Sequence, residues 1–289
     1  MPQSKKIDLS DCCDVEFWRQ LCPNLNVGQS TALTASPRLE SCNIREADWR
    51  QCKELIGEDG YFVYEDWFDP TTIEPLADCF RRLASAQLLP AFCFVYDEFW
   101  ELMLGLSPLL SDLLGEYLYL PAVWAWHVHE DSQTAFAPHR DQIREVATDD
   151  EDHLDYLTIW IPLTDLNHLN SCISVLPASL DPDYDAGTDS IRVEDLQHVR
   201  SFQAARGSVM GWATGLAHWG STPSKFGGSR MSIGLYVQKP DAECLDPPPL
   251  DLTKPLPLRD RLRLIGHQIV NYSRDDAQLE IARHLLEAN

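Results

Sequence analysis

The sequence predicts an α+β fold in which helices come first and short strands, arranged as a sandwich or barrel, fill the second half. Two observations carry this. From about residue 45 to residue 120, apolar residues recur at helical spacing. From Pro121 onward they fall into short apolar or alternating runs split by turn residues. A third observation bounds the size. With 289 residues, 44% hydrophobic and free of repeats or low-complexity tracts, the chain suffices for one large core or two modest ones.

The elements follow in order. Residues 1–44 are polar, contain Pro, Ser and Thr, and show little period; they read as an N-terminal extension. "READWRQCKELIGEDG" sets Trp49, Cys52, Leu55 and Ile56 on one helical face, with Gly57 suited to end the helix. "GYFVYEDWFDP" is a short aromatic strand, and "DPTTIEPLADCFRRLASAQ" a helix behind a capping region. "YDEFWELMLGLSPLLSDLLGEYL" is a further helix, broken or kinked near Pro108. The strands are expected in "AVWAWHVHE", "LDYLTIWIPLTDL", "SCISVLP", "GSVMGWA" and "SRMSIGLYVQ". Two long segments interrupt them, the acidic 143–155 and the stretch 181–205, and loops of that length in a compact domain serve as lids or binding loops or are disordered. The 143–155 loop is expected to be solvated, with a lid over the substrate as the functional alternative. Residues 241–289 carry "DPPPLDLTKPLPL" and a helical tail for which Ser273 is the expected N-cap. That tail is expected to pack on the 45–240 domain or to offer a homo-oligomer contact.

Charge and cysteines exclude several functions. The net charge of −22 leaves no Lys and Arg clusters of the kind that bind a nucleic-acid backbone. No run is long and apolar enough for a membrane helix, and the N-terminus lacks a signal-type apolar region, so a cytoplasmic protein is expected. The nine cysteines are odd in number, scattered, and without a CxxC pair, which indicates free thiols.

The chemistry concentrates in "FAPHRDQ". In an extended chain, residues i and i+2 point to the same side, so His139 and Asp141 aim at one place while Arg140 points away. A second histidine would complete a 2-His-1-carboxylate triad, which leaves open positions on non-haem Fe(II). His218, after the glycine-containing "MGWATGLAHWGS", is the candidate. Twelve residues further, alternation puts Arg230, Ser232 and Tyr236 on one strand face, opposite Met231, Ile233, Leu235 and Val237. A guanidinium turned inward needs a partner. A ligand carboxylate held by Arg230 and Ser232 meets that need, and so does an internal Asp or Glu. Tyr236 is expected to line the core. His127 and His129 form a rival i, i+2 pair; facing inward they would contact metal or substrate, with Trp124 and Trp126 turned into packing. Zinc at the triad, or a non-catalytic metal, is a further alternative, although neither accounts for Arg230 and Ser232.

His139-x-Asp141, His218 and Arg230, in this order on a β-rich second half, resemble an Fe(II)/2-oxoglutarate dioxygenase of the phytanoyl-CoA hydroxylase-like family. "DGYFVYEDWFDPTTIEPL" and "LTIWIPLTDLNHLNSCISVLP" are similar to that family's N-terminal and central segments, and the resemblance spans roughly residues 45–240. It implies a double-stranded β-helix (a jelly-roll, cupin-like core) flanked by N-terminal helices. It implies iron at His139, Asp141 and His218, and 2-oxoglutarate held by Arg230 and Ser232. Trp160 matches a co-substrate-pocket position, and Thr158, on the same strand face, could donate a hydrogen bond there. With O2, such an enzyme hydroxylates a small-molecule C–H bond and releases succinate and CO2; desaturation, cyclisation and epoxidation share the same ligands. The chain departs from the family at Asn170-Ser171-Cys172, where Asn-Gly-Cys is common, and at Pro177-Ala178-Ser179-Leu180, where Pro-Gly-Ser-His is common.

Overall fold

The computed structural model describes residues 9–28, 45–132, 136–141, 154–184, 191–243, 245 and 248–287. Most of the expected 143–155 loop, residues 185–190 of the 181–205 stretch and much of the N-terminal extension lie outside the described residues.

Helices dominate the first half. They are α1 (Val15–Leu21), α2 (Glu46–Asp59), α3 (Pro70–Ser85), α4 (Asp97–Leu104) and α5 (Ser107–Leu114). Helix α2 runs past Gly57 and stops at Gly60, whose φ of 77° is the left-handed cap conformation that glycine adopts without strain. Asp69 caps α3 by accepting from the Thr71 N–H. Pro108 sits in the first turn of α5, where its missing N–H costs nothing, so the expected kink is a break between two helices.

The strands are β1 (Tyr61–Tyr64), β2 (Leu118–Val128), β3 (Tyr156–Pro162), β4 (Ile173–Val175), β5 (Arg200–Ser201), β6 (Val209–Ala213), β7 (His218–Gly220) and β8 (Arg230–Gln238). They form two antiparallel sheets, of order β1-β6-β3-β8-β2 and β5-β4-β7. The β2–β8 register slips between Tyr119 and Val123, where Pro121 cannot donate to the ladder.

The large sheet is buried on both faces. Phe62, Leu157, Ile159, Val209, Met231, Ile233, Leu235 and Val237 turn toward the helices and share one core with Phe80, Phe94, Phe99 and Trp100. The opposite face carries Trp160, Met210 and Trp212, which join Ile173 and Val175 of the small sheet in a second core. Two-sided burial explains why β3 and β6 read as nearly continuous apolar runs. The period-2 alternation then sorts Arg230 and Ser232 onto the face between the sheets.

Two helices end the chain, α6 (Leu258–Tyr272) and α7 (Asp276–Glu287). Helix α6 packs on the chain's own core. Arg261, fully buried, pairs with Asp97 at 2.6 Å and donates to the Val95 and Leu256 carbonyls. Ser273 is the C-cap of α6 rather than the N-cap of α7. The capping role falls to Asp275, whose carboxylate accepts from the Gln278 N–H at 3.0 Å.

Candidate metal centre

His139 and His218 face each other as a bridged antiparallel pair. Each backbone N–H donates to the other's carbonyl, at 3.1 and 2.9 Å. Directly opposed residues project to the same side, so this pairing brings the two imidazoles together. Asp141 joins them by the i, i+2 rule. Its Oδ1 lies 3.9 Å from His139 Nε2 and 3.7 Å from His218 Nε2, and three donor atoms of the set lie within 4.8 Å of one another.

The surrounding bonds decide which atoms are free. His139 Nδ1 lies 2.8 Å from the Ala137 carbonyl and His218 Nδ1 lies 3.0 Å from that of Leu216. Donation from both Nδ1–H groups places the lone pairs on the Nε2 atoms that converge. Burial, ahead of the nearby charges, pushes the His218 pKa down and keeps that ring neutral. Asp141 Oδ2 accepts from Thr158 Oγ1 at 2.8 Å and Trp212 Nε1 at 3.1 Å, leaving Oδ1 for an ion. The proton of Thr158 therefore goes to the Asp141 carboxylate, not to a co-substrate as expected from its strand face. Tyr236 is no mere core residue either: its phenol faces Asp141, and burial followed by that charge pushes its pKa well up.

Arg140 points away from the site, as the extended geometry requires. It is buried, pairs with Asp181 at 2.7 Å and donates to the Gly215 carbonyl at 2.8 Å. It thereby ties the His139–Asp141 segment to the turn that leads into His218.

Arg230 is 2% exposed, and among the described residues no Asp or Glu pairs with it. Its Nη1 donates to the Ser171 carbonyl at 2.7 Å, its guanidinium stands 5.5 Å from the Trp160 ring centre, and its Nε has no partner. Burial lowers its pKa to about 10, so it stays charged at neutral pH. The Ser232 hydroxyl is likewise buried and unpartnered. Ser171 sits at φ 65°, a conformation that favours glycine, and its own hydroxyl is also unpartnered.

The cavity at the triad is lined by Trp124, Trp126, Phe136, Trp160, Trp219 and Tyr272, together with Arg230. The tryptophans of β2 thus face the site, and the rival pair does not. His127 packs against Phe80 on the outer face, and burial pushes its pKa down to about 4. The sequence reading missed Trp124, Trp126, Phe136, Trp212, Trp219, Tyr272 and Asp181. Trp124 lies opposite Gly234 across β2–β8, where a side chain would strike the indole, a pairing that the β2 stretch alone does not signal.

Neither the known protein families nor the curated proteins include a match to this sequence. Solved structures do match. The non-heme alpha ketoglutarate dependent epimerase SnoN from nogalamycin biosynthesis superposes with a TM-score of 0.54 at 18% identity, over 73% of this chain and 94% of that one. The non-heme monooxygenase ThoJ superposes with a TM-score of 0.57 at 13% identity, over 82% and 100%. AviO1 from Streptomyces viridochromogenes Tue57 gives 0.52 at 17%, over 68% and 96%. A further SnoN structure holds Fe3+, alpha ketoglutarate and nogalamycin RO. At these identities the likeness is one of fold: mixed helix and antiparallel sheet, shared with non-haem iron enzymes.

Proposed function

We propose that the protein is a non-haem Fe(II)/2-oxoglutarate-dependent oxygenase of double-stranded β-helix fold that hydroxylates a C–H bond of a small molecule. The observation that carries this reading is the buried Arg230 guanidinium, which has no acidic partner among the described residues and lies beside the triad. A dicarboxylate co-substrate neutralises that charge and satisfies both Arg230 Nε and Ser232 Oγ.

The residues fit the cofactors. His139 Nε2, His218 Nε2 and Asp141 Oδ1 would hold Fe(II), an N,N,O set with one unshared carboxylate oxygen. Arg230 and Ser232 would hold the far carboxylate of 2-oxoglutarate, with Trp160 beneath the guanidinium. When bound, the iron and 2-oxoglutarate supply oxidation by O2, giving succinate and CO2. Thr158 and Trp212 orient the Asp141 carboxylate, Leu216 and Ala137 carbonyls fix the histidine tautomers, and the aromatic wall keeps water from the reacting side. The Asp141 carboxylate favours hydroxylation, while desaturation, cyclisation and epoxidation use the same residues. The segments 59–76 and 157–177 support kinship with the phytanoyl-CoA hydroxylase-like family within this fold.

Anaerobic titration with Fe(II) and 2-oxoglutarate tests the reading. A weak visible charge-transfer band is expected, absent in His139→Ala and requiring roughly 100-fold more 2-oxoglutarate in Arg230→Met, the loss of about two decades that a buried charge-assisted contact supports. No band in the parent protein overturns it.

A further inference from the structure

We infer that the cavity takes an uncharged, flat, ring-bearing substrate, stacked on an aromatic wall that helix α6 completes with Tyr272. This rests on the oxygenase reading for its location and deepens it by naming a substrate class.

The wall is continuous. Trp126 of β2 packs edge-on against Phe136 (ring centres 4.5 Å apart, planes at 64°) and against Tyr272 (5.1 Å, 81°). Tyr272 also meets Trp124 at 6.3 Å, and Phe136 stands 5.8 Å from the His139 ring, so the wall begins at the triad. Phe136 and Tyr272 remain 41% and 42% exposed. Only five large hydrophobic side chains are at least that exposed among the described residues, and these two flank the same tryptophan at the cavity mouth. Exposed apolar surface concentrated at a cavity marks a binding site.

The chemistry of the lining narrows the ligand. Among the described lining residues the charged groups are Asp141 and Arg230, which the metal and the co-substrate would engage, so neither is left to pair with the substrate. No Lys lines the cavity among the described residues, and the chain carries −22, so phosphates such as those of an acyl-CoA find no counter-charge in that lining. A straight aliphatic chain would gain burial but no stacking, whereas a flat ring gains both on Trp126 and Tyr272. The indole N–H groups of Trp126 and Trp219 and the Tyr272 hydroxyl make no hydrogen bond to described residues and can donate to oxygen substituents on such a ring.

Calorimetric titration of the full chain with flavone, n-decanol and decanoyl-CoA tests this, with and without Fe(II) and 2-oxoglutarate under nitrogen. Flavone should bind at least about ten-fold more tightly than either other probe, and Trp126→Leu and Tyr272→Leu should each weaken it about ten-fold. Tyr272→Phe, which keeps the ring, should retain most of the affinity. Tightest binding of decanol or decanoyl-CoA, or flavone affinity unmoved by both leucine variants, overturns the inference. Tyr272 is half-exposed near the helix end, so its variant reports even if Trp126→Leu misfolds. Flavone binding without a chelate band would overturn the oxygenase reading and leave the ring site standing; a band without flavone binding would do the reverse.

Discussion

Replacing Thr158 by valine separates a residue that orients the metal ligand from one that binds the co-substrate. Thr158 is fully buried, and its hydroxyl donates to Asp141 Oδ2 at 2.8 Å. Valine keeps the branched shape and removes that donor. A hydrogen bond to a charged acceptor contributes about 1.5–3 kcal/mol. Part of this will be lost from the carboxylate geometry that metal binding requires, so the metal Kd should rise about 10- to 100-fold. Trp212 Nε1, 3.1 Å from the same oxygen, still holds the carboxylate, so Thr158→Val combined with Trp212→Phe should be worse than either alone. At saturating metal, the 2-oxoglutarate affinity should stay within about two-fold, because the Thr158 proton is not directed at the co-substrate. Competition of Mn(II) or Co(II) against a chelating dye gives the first quantity, and the visible chelate band gives the second. An unchanged metal Kd, or a variant that loses only 2-oxoglutarate affinity, refutes the reasoning.

Three further outcomes are expected. Asp181→Ala leaves the Arg140 guanidinium buried without its 2.7 Å partner, which costs about 3–5 kcal/mol; over 289 residues this lowers Tm by about 5–8 °C, and Arg140→Met in the same chain should restore most of the loss in a calorimetric melt. Glu101 has its pKa raised to about 7 by burial, then by Glu98 and Asp97; a folded-state pKa above the unfolded one gives stability that is full below about pH 4.5 and is lost as pH rises through 7. Glu101→Gln should therefore match the parent at pH 5 and exceed it by about 1–2 kcal/mol at pH 8, after allowing for solvent screening; equal denaturant midpoints at pH 8 would contradict this. Ser171→Gly should stabilise the fold by about 1 kcal/mol, because it relieves the φ of 65° and removes an unpartnered buried hydroxyl; a lower urea midpoint would show that Ser171 has a role its backbone does not explain.

What the sequence disclosed follows its periods. The i, i+2 rule set His139 with Asp141 and turned Arg140 away, and alternation along β8 placed Arg230 and Ser232 together between the sheets. Helix limits were off where two glycines competed: Gly60, not Gly57, has the positive φ that ends α2, because three more residues fit before the chain must turn into β1. Long-range pairing was not legible. Nothing local announces that His139 and His218 form a bridged pair, or that Trp212, from a different strand, donates to Asp141. The orientation of β2 was misjudged for a related reason. "WAWHVHE" alternates in chemistry that suits either face, and only pairing with β8, where Trp124 lies opposite Gly234, decides it. Tyr272 lay outside the resemblance altogether, since it reaches the site from a helix beyond residue 240.

The charges of the site explain why the rest of the cavity is aromatic. Histidines that ligate a metal carry no charge, so the residues at the centre contribute one carboxylate and one guanidinium. A divalent ion brings two positive charges and a dicarboxylate two negative ones, and the loaded centre is then neutral. A buried site in that state gains nothing from a charged substrate and would bear its desolvation cost without a partner. Affinity must come instead from apolar contact and from N–H and O–H donors that remain neutral, which are what Trp126, Trp219 and Tyr272 present. Ser171 fits the same logic from the other side. Its carbonyl fixes Arg230 through Nη1, while Arg230 Nε and the Ser232 hydroxyl on the same strand face stay buried without a partner among the described residues. The chain tolerates a strained serine there because the turn delivers that carbonyl to a buried guanidinium that has no acidic partner among the described residues.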